Sequence, residues 1–296
     1  MRDRGQQPDR WPGRASAPEP GQSRGAGIAP GQPIRLLALD LDGTIVSPQL
    51  TVDPLDEEAL RRAETAGVTV VVCTGRPFPG AMIWVTRLEL KGPLICYQGA
   101  QVRLPDGSTL LDSGVRKEVA IEVIRFCRER DLHVQAYRDD RLLIERDRPE
   151  AREYADHAQM EINLVPDLEA AMGPTTPKLV IVAGRERIEE LLPEVRSGWA
   201  GRLNAATSMP TYLEMTGPRA DKRSALRFLA RRLRIPQDQV AAAGDGRNDE
   251  PMISWAGLGF AVAGAAPEVI AAAQGRIIAP PGGGGISQLV DGLLSA

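Results

Sequence analysis

Apolar and polar positions alternate in two registers along the first third of the chain. Ile34-Arg35-Leu36-Leu37-Ala38-Leu39 is a short apolar run that predicts a buried strand, and it ends in the acidic loop Asp40-Leu41-Asp42-Gly43-Thr44. Residues 54 to 66 place Leu55, Ala59, Leu60 and Ala63 at helical spacing with charges between them, and Gly67 stops the helix. The unbroken run Val68-Thr69-Val70-Val71-Val72 predicts a second strand and Leu94-Ile95-Cys96-Tyr97 a third. Strands separated by helices form βαβ units, so a parallel sheet is expected.

From about 104 to 210 the pattern changes. Strand candidates at 132–137, 141–145, 178–182 and 203–207 are mixed with two or three amphipathic helices. The turn sequences Pro105-Asp106-Gly107 and Arg138-Asp139-Asp140 predict antiparallel hairpins here. After Tyr212-Leu213-Glu214-Met215 the first pattern resumes, with helices at 220–234, 248–256 and 267–273 and strands at 240–243, 258–262 and 276–279. The expected architecture is an α/β protein with a Rossmann-like parallel-sheet core, residues 34–103 and 211–296, and an inserted α+β domain at 104–210. Residues 1–33 are rich in Pro, Gly, Gln and Arg without helical or strand period and are expected to be a disordered tail.

Composition narrows the function. The 36 Lys and Arg against 39 Asp and Glu give no basic excess, which argues against a nucleic-acid partner. Three cysteines without a Cys-x-x-Cys pair and only two histidines exclude a disulfide framework, a thiolate zinc site and a His-x-x-x-His zinc helix. No apolar run approaches membrane length and the N-terminus has no apolar signal core, so a cytoplasmic protein is expected.

In an α/β sheet the ligand site lies beyond the carboxyl ends of the strands. There this chain carries Asp40 and Asp42, Thr74-Gly75-Arg76, Gln98-Gly99, and Gly244-Asp245-Gly246-Arg247-Asn248-Asp249, while Lys222 opens the helix that feeds the last of these strands. Carboxylates converging on one rim repel unless a cation lies among them, and hard oxygen ligands select Mg2+. Carboxylates, Mg2+, a Thr and a Lys are the components of phosphoryl transfer to an aspartate.

With these four motifs in this order, residues 34 to 296 resemble the haloacid dehalogenase superfamily, and within it the Cof-like (type IIB) phosphatases. The resemblance implies that Asp40 is nucleophile and metal ligand, and that Asp42 is general acid and base and lends the metal its backbone carbonyl. It implies that Thr74 and Lys222 hold the transferring phosphoryl group, that Asp245 is a metal ligand, and that Asn248, Asp249 and Gly75 serve the phosphate and the metal's surroundings. Arg76 and Gln98 are candidate substrate-binding residues, and Mg2+ is the implied cofactor. The insert is implied to be a cap that closes over the substrate. The expected substrates are small phosphorylated metabolites such as sugar phosphates or flavin or pyridoxal phosphates. A sugar phosphomutase using the same aspartyl phosphate and a non-catalytic protein that binds a phosphorylated ligand are the alternatives.

The chain departs from that pattern in places. Gln98 stands where Asn is usual, Ala265 where Asn is usual, and Gly282 to Gly285 with Ile286 replace an Asp-Gly-Val element. These differences bear on substrate preference. His133 is read as ordinary surface of the insert, and Cys73 as a buried small apolar residue.

Overall fold

The computed structural model describes residues 33–295, so all but the last residue of the expected tail lies outside the described residues. A first leg forms β1 (Leu36–Leu39), α1 (Pro54–Thr65), β2 (Thr69–Cys73), α2 (Phe78–Arg87), β3 (Leu94–Cys96), β4 (Gln101–Arg103) and β5 (Thr109–Asp112). The middle leg begins with β6 (Val115–Arg116), α3 (Lys117–Glu129), β7 (His133–Arg138), β8 (Arg141–Ile144), α4 (Pro149–Ala158) and β9 (Ile162–Leu164). It continues with α5 (Leu168–Ala171), β10 (Thr175–Thr176), β11 (Leu179–Val182), α6 (Arg185–Gly198), β12 (Asn204–Met209) and β13 (Tyr212–Thr216). The return leg is α7 (Lys222–Leu233), β14 (Val240–Gly244), α8 (Glu250–Trp255), β15 (Leu258–Val262), α9 (Pro267–Ala272), β16 (Ile277–Ile278) and α10 (Gly285–Leu294).

The large sheet has the order β16-β15-β14-β1-β2-β3-β4-β5, parallel from β16 to β3 and antiparallel at β4 and β5. Its central strand, β1, is buried throughout, as its continuous apolar run requires. Because β2 lies on one side of β1 and β14 on the other, the strand order reverses at β1, and the loops after these three strands splay apart to leave a crevice.

The inserted unit is a six-stranded sheet, β12-β13-β11-β7-β8-β9, antiparallel except between β8 and β9, with a short ribbon of β6 and β10. Period-two alternation sorts its strands between two cores. Leu179, Ile181, Leu213 and Met215 pack with Val123 and Ile188 in the unit's own core. Val180, Val182 and Tyr212 face the other way and join the cluster containing Phe78, Trp84 and Tyr97 of the large-sheet unit. The rings of Tyr97 and Tyr137 meet edge-on across this junction at 5.3 Å.

Strand pairing moves the expected boundaries. The hairpin around Pro105-Asp106-Gly107 extends the large sheet, because β4 pairs with β3, and Tyr212–Thr216 pairs with β11 in the smaller sheet. The division at 103/104 cuts this hairpin and gives only β5 to the insert, and that at 210/211 gives β13 to the large-sheet unit, since a hairpin turn does not encode which sheet its strands join. His133 is also corrected: it is buried and hydrogen-bonded to Gln135 at 3.2 Å. Cys73 is buried and free, and burial pushes its thiol far above the ordinary range. Among the described residues no helix is long and apolar enough to cross a membrane.

Candidate active site

Asp40 follows β1 directly, and its backbone N–H still donates to Ala243 at 3.0 Å, so the strand ladder carries the residue to the rim of the crevice. Beyond it Gly43, at φ +82°, turns the chain back so that its N–H reaches the carbonyl of Val46 at 2.8 Å. The glycine is needed twice over, because a Cβ there would lie 2.4 Å from Oδ2 of Asp245.

Lys222 is the first residue of α7, whose N-cap Asp221 accepts from the Ser224 N–H at 2.8 Å. A cation in the first turn opposes the helix dipole and needs anions close by. They are present: Lys222 Nζ donates to Oδ1 of Asp40 at 2.6 Å and to Oδ1 of Asp249 at 2.5 Å, with all three side chains buried. The second oxygen of Asp249 accepts from the N–H groups of Asp245 (3.1 Å) and Gly246 (2.9 Å), which folds the loop after β14 around it.

Asp40, Asp245 and Asp249 each bring a carboxylate oxygen within 4.8 Å of the others. The electrostatics are those of crowded anions. Burial raises the Asp40 pKa well above the ordinary carboxylate range, and Asp249 adds to the rise while Lys222 opposes it. Burial and then Asp249 likewise raise Asp245. Burial works against the charge on Lys222, but Asp249 and Asp40 outweigh it and keep the ammonium protonated. Three carboxylates against one ammonium leave negative charge to be balanced, and an all-oxygen donor set suits a hard divalent cation.

A cleft of about 670 Å³ opens over this cluster between the two units. Asp40, Asp42, Thr74, Gly75, Arg76, Gln98, Asp245 and Asn248 all line it, whereas Lys222 and Asp249 sit behind its floor. Asp42, expected to lend a backbone carbonyl to the metal, keeps its carboxylate outside the acidic cluster. It is bound by two nitrogens of Arg76, at 2.8 and 2.6 Å, and its side chain is half-exposed. Asp249, expected to serve the phosphate and the metal's surroundings, is itself a member of the carboxylate cluster. Thr74 is buried, and its hydroxyl accepts from the Arg76 N–H at 3.0 Å, which leaves its own proton free to donate into the cleft. The remaining arm of Arg76 donates to Gln159 of the inserted unit at 2.8 Å.

Sequence reasoning missed the opposite wall of the cleft. It is formed by Tyr154, His157, Gln159, Lys178, Tyr212 and Glu214 of the inserted unit. Lys178 and Glu214 are a buried ion pair at 2.8 Å, and Lys178 Nζ also donates to the carbonyl of Gly75 at 3.3 Å. A signal did exist: each is a charged residue beside or within an otherwise buried strand run, a placement disfavoured without a partner.

The model for haloacid dehalogenase-like hydrolases matches residues 37–289 of this chain. The phosphatase YwpJ of Bacillus subtilis is 27% identical over 266 residues, covering 80% of this chain and 92% of its own. The HMP-PP phosphatase of Cronobacter sakazakii is 26% identical over 237 residues, covering 80% and 87% respectively. Among solved structures, TM0651 from Thermotoga maritima superposes with a TM-score of 0.80 at 29% identity, over 87% of this chain and 97% of that one.

Proposed function

The chain belongs to the haloacid dehalogenase-like hydrolases and is a phosphatase of that family, and from this premise we propose that it hydrolyses phosphate monoesters of small metabolites through an aspartyl phosphate on Asp40. The observation that carries this reading is the buried hydrogen bond between Lys222 and Asp40, set beside Asp245 and Asp249 beneath the cleft. Sugar phosphates and flavin or pyridoxal phosphates are the proposed substrate classes.

Asp40 attacks phosphorus as the ester oxygen departs, which yields an aspartyl phosphate and an alcohol. Asp42 gives the leaving oxygen its proton and then takes one from the water that attacks the aspartyl phosphate. Inorganic phosphate leaves and Asp40 returns as a carboxylate. Lys222 places its ammonium against the attacking carboxylate and the phosphoryl oxygens, and the free proton of Thr74 donates to one of those oxygens. Asp42 leaves Arg76 to act, and because Arg76 also binds Gln159, its release is tied to the position of the inserted unit, which acts as the cap. Asp40, Asp245 and Asp249 would hold Mg2+, whose charge, when it is bound, stabilises the transferring phosphoryl group. The three buried free cysteines fit work in a reducing cytoplasm.

The test is phosphate release from a broad panel of metabolite esters, with and without Mg2+, for the wild type and Asp40→Asn. Release that requires both Mg2+ and Asp40 supports the reading. Phosphate moved to an isomeric sugar instead of water, or turnover retained by Asp40→Asn, overturns it.

A further inference from the structure

A second cavity, of about 370 Å³, lies beside the active-site cleft. Its walls combine Ala206, Ala220 and Pro251 with Asp221, Lys222 and Arg247, and more of the exposed wall is carbon than polar atoms. Four residues face both cavities: Gln98, Glu214, Gly246 and Asn248. Gln98 joins two of the others. Its carbonyl oxygen accepts from Asn248 Nδ2 at 2.8 Å, and its amide nitrogen donates to Oε2 of Glu214 at 3.2 Å. The side-chain amide thus spans from the large-sheet unit to the inserted unit at the boundary between the two spaces.

The backbone is shaped to put it there. Tyr97 and Gln98 are consecutive non-glycine residues in the left-handed region, at φ +53° and +60°. Such positions cost free energy and persist only where the surroundings enforce them. Gly75 leaves the room, since a Cβ on it would lie 2.4 Å from the Gln98 amide nitrogen. On the far side Glu214 is held by the buried Lys178, which itself returns to the carbonyl of Gly75. Every polar group at the partition is therefore anchored.

We propose that Gln98 is a specificity-determining residue whose amide closes the second cavity to the substrate and confines the leaving group to the side lined by His157 and Tyr212. The proposal rests on the phosphatase reading of the cleft. Asn at this position is one methylene too short to hold both partners, and Glu places a carboxylate against Glu214. Either change opens the partition, and the carbon-rich part of the cavity, at Ala206, Ala220 and Pro251, becomes available to longer, uncharged leaving groups.

The test uses n-alkyl phosphonates, from methyl to octyl, as uncleavable probes with the full-length protein and Mg2+. Affinities are measured by calorimetry for the wild type, Gln98→Asn and Gln98→Glu, after thermal melting confirms that each variant is folded. The ratio of octyl to methyl affinity is expected to rise at least about tenfold in both variants. An unchanged ratio, a rise in only one variant, or a wild type that binds none of the series overturns the proposal. Hydrolysis of the matching alkyl phosphate esters is followed separately. A shifted binding ratio without ester hydrolysis keeps the partition and rejects the phosphatase reading, whereas hydrolysis with an unshifted ratio does the reverse.

Discussion

Consider Asp40→Asn in protein stripped of divalent cations. The carboxylate lies 2.6 Å from Lys222 Nζ, and an oxygen of each of Asp245 and Asp249 lies within 4.8 Å of it. With an effective dielectric of about 20, the attraction to Lys222 is worth about 6 kcal/mol and each repulsion at least roughly 3.5 kcal/mol. The two repulsions together at least match the one attraction. The amide of Asn still offers an oxygen to Lys222, and it escapes the burial that already raises the Asp40 pKa. Unfolding free energy should therefore change by less than about 2 kcal/mol, towards greater stability. Lys222→Met has the opposite sign, because it leaves Asp40 and Asp249 buried without their cation, at a cost of about 3 to 5 kcal/mol.

Urea unfolding in EDTA near neutral pH measures both effects, and phosphate release with Mg2+ measures turnover. Asp40→Asn should lose at least about a hundredfold in rate while keeping its stability. A loss of more than about 3 kcal/mol on Asp40→Asn would refute the electrostatic reasoning, because it would mean that the Lys222 attraction far exceeds the repulsion within the acidic cluster. A stable Lys222→Met variant would refute it from the other side.

Gly43→Ala forces a Cβ to within 2.4 Å of Asp245 at a positive φ, so Asp245 must shift; calorimetry should show Mg2+ affinity lowered by about tenfold or more. Lys178→Met leaves the Glu214 carboxylate buried without its cation and should cost about 3 to 5 kcal/mol in urea unfolding. Pairing it with Glu214→Leu should recover most of that loss, and strict additivity of the two changes would contradict the coupling. His133 is held neutral by burial, its pKa depressed below the ordinary 6.5 despite the hydrogen bond it donates to Gln135. The unfolded chain takes up the proton first as pH falls, so stability present above about pH 6.5 is lost as pH drops through the depressed folded value. His133→Gln should consequently lose less stability than the wild type between about pH 7.5 and about pH 5, and equal losses would show that His133 contributes nothing to acid sensitivity.

The elements nearest the chemistry were the most legible. The strand before Asp40, the helix opened by Lys222 and the loop from Gly244 to Asp249 are written in apolar runs, a capping Asp and glycines that act within a few residues. Two segments were misplaced for one reason. Thr109–Asp112 and Tyr212–Thr216 were assigned by their place along the chain, but their sheets are chosen by pairing with β4 and with β11. The buried His133 shows the same limit, since an alternating strand does not reveal whether its polar face is covered by another layer.

By itself, the sequence determined the α/β pattern and the acidic and phosphate-binding motifs at the strand ends, because hydrophobic period, capping and turn chemistry are local interactions. Tertiary structure alone decided which charges meet. Lys222 reaches Asp40 across 182 positions of sequence, Asp249 enters the carboxylate cluster, Asp42 turns to Arg76, and Lys178 with Glu214 forms the far wall of the cleft. Those outcomes depend on strand order at the crevice and on the packing of one unit against the other, and no local period along the chain encodes either.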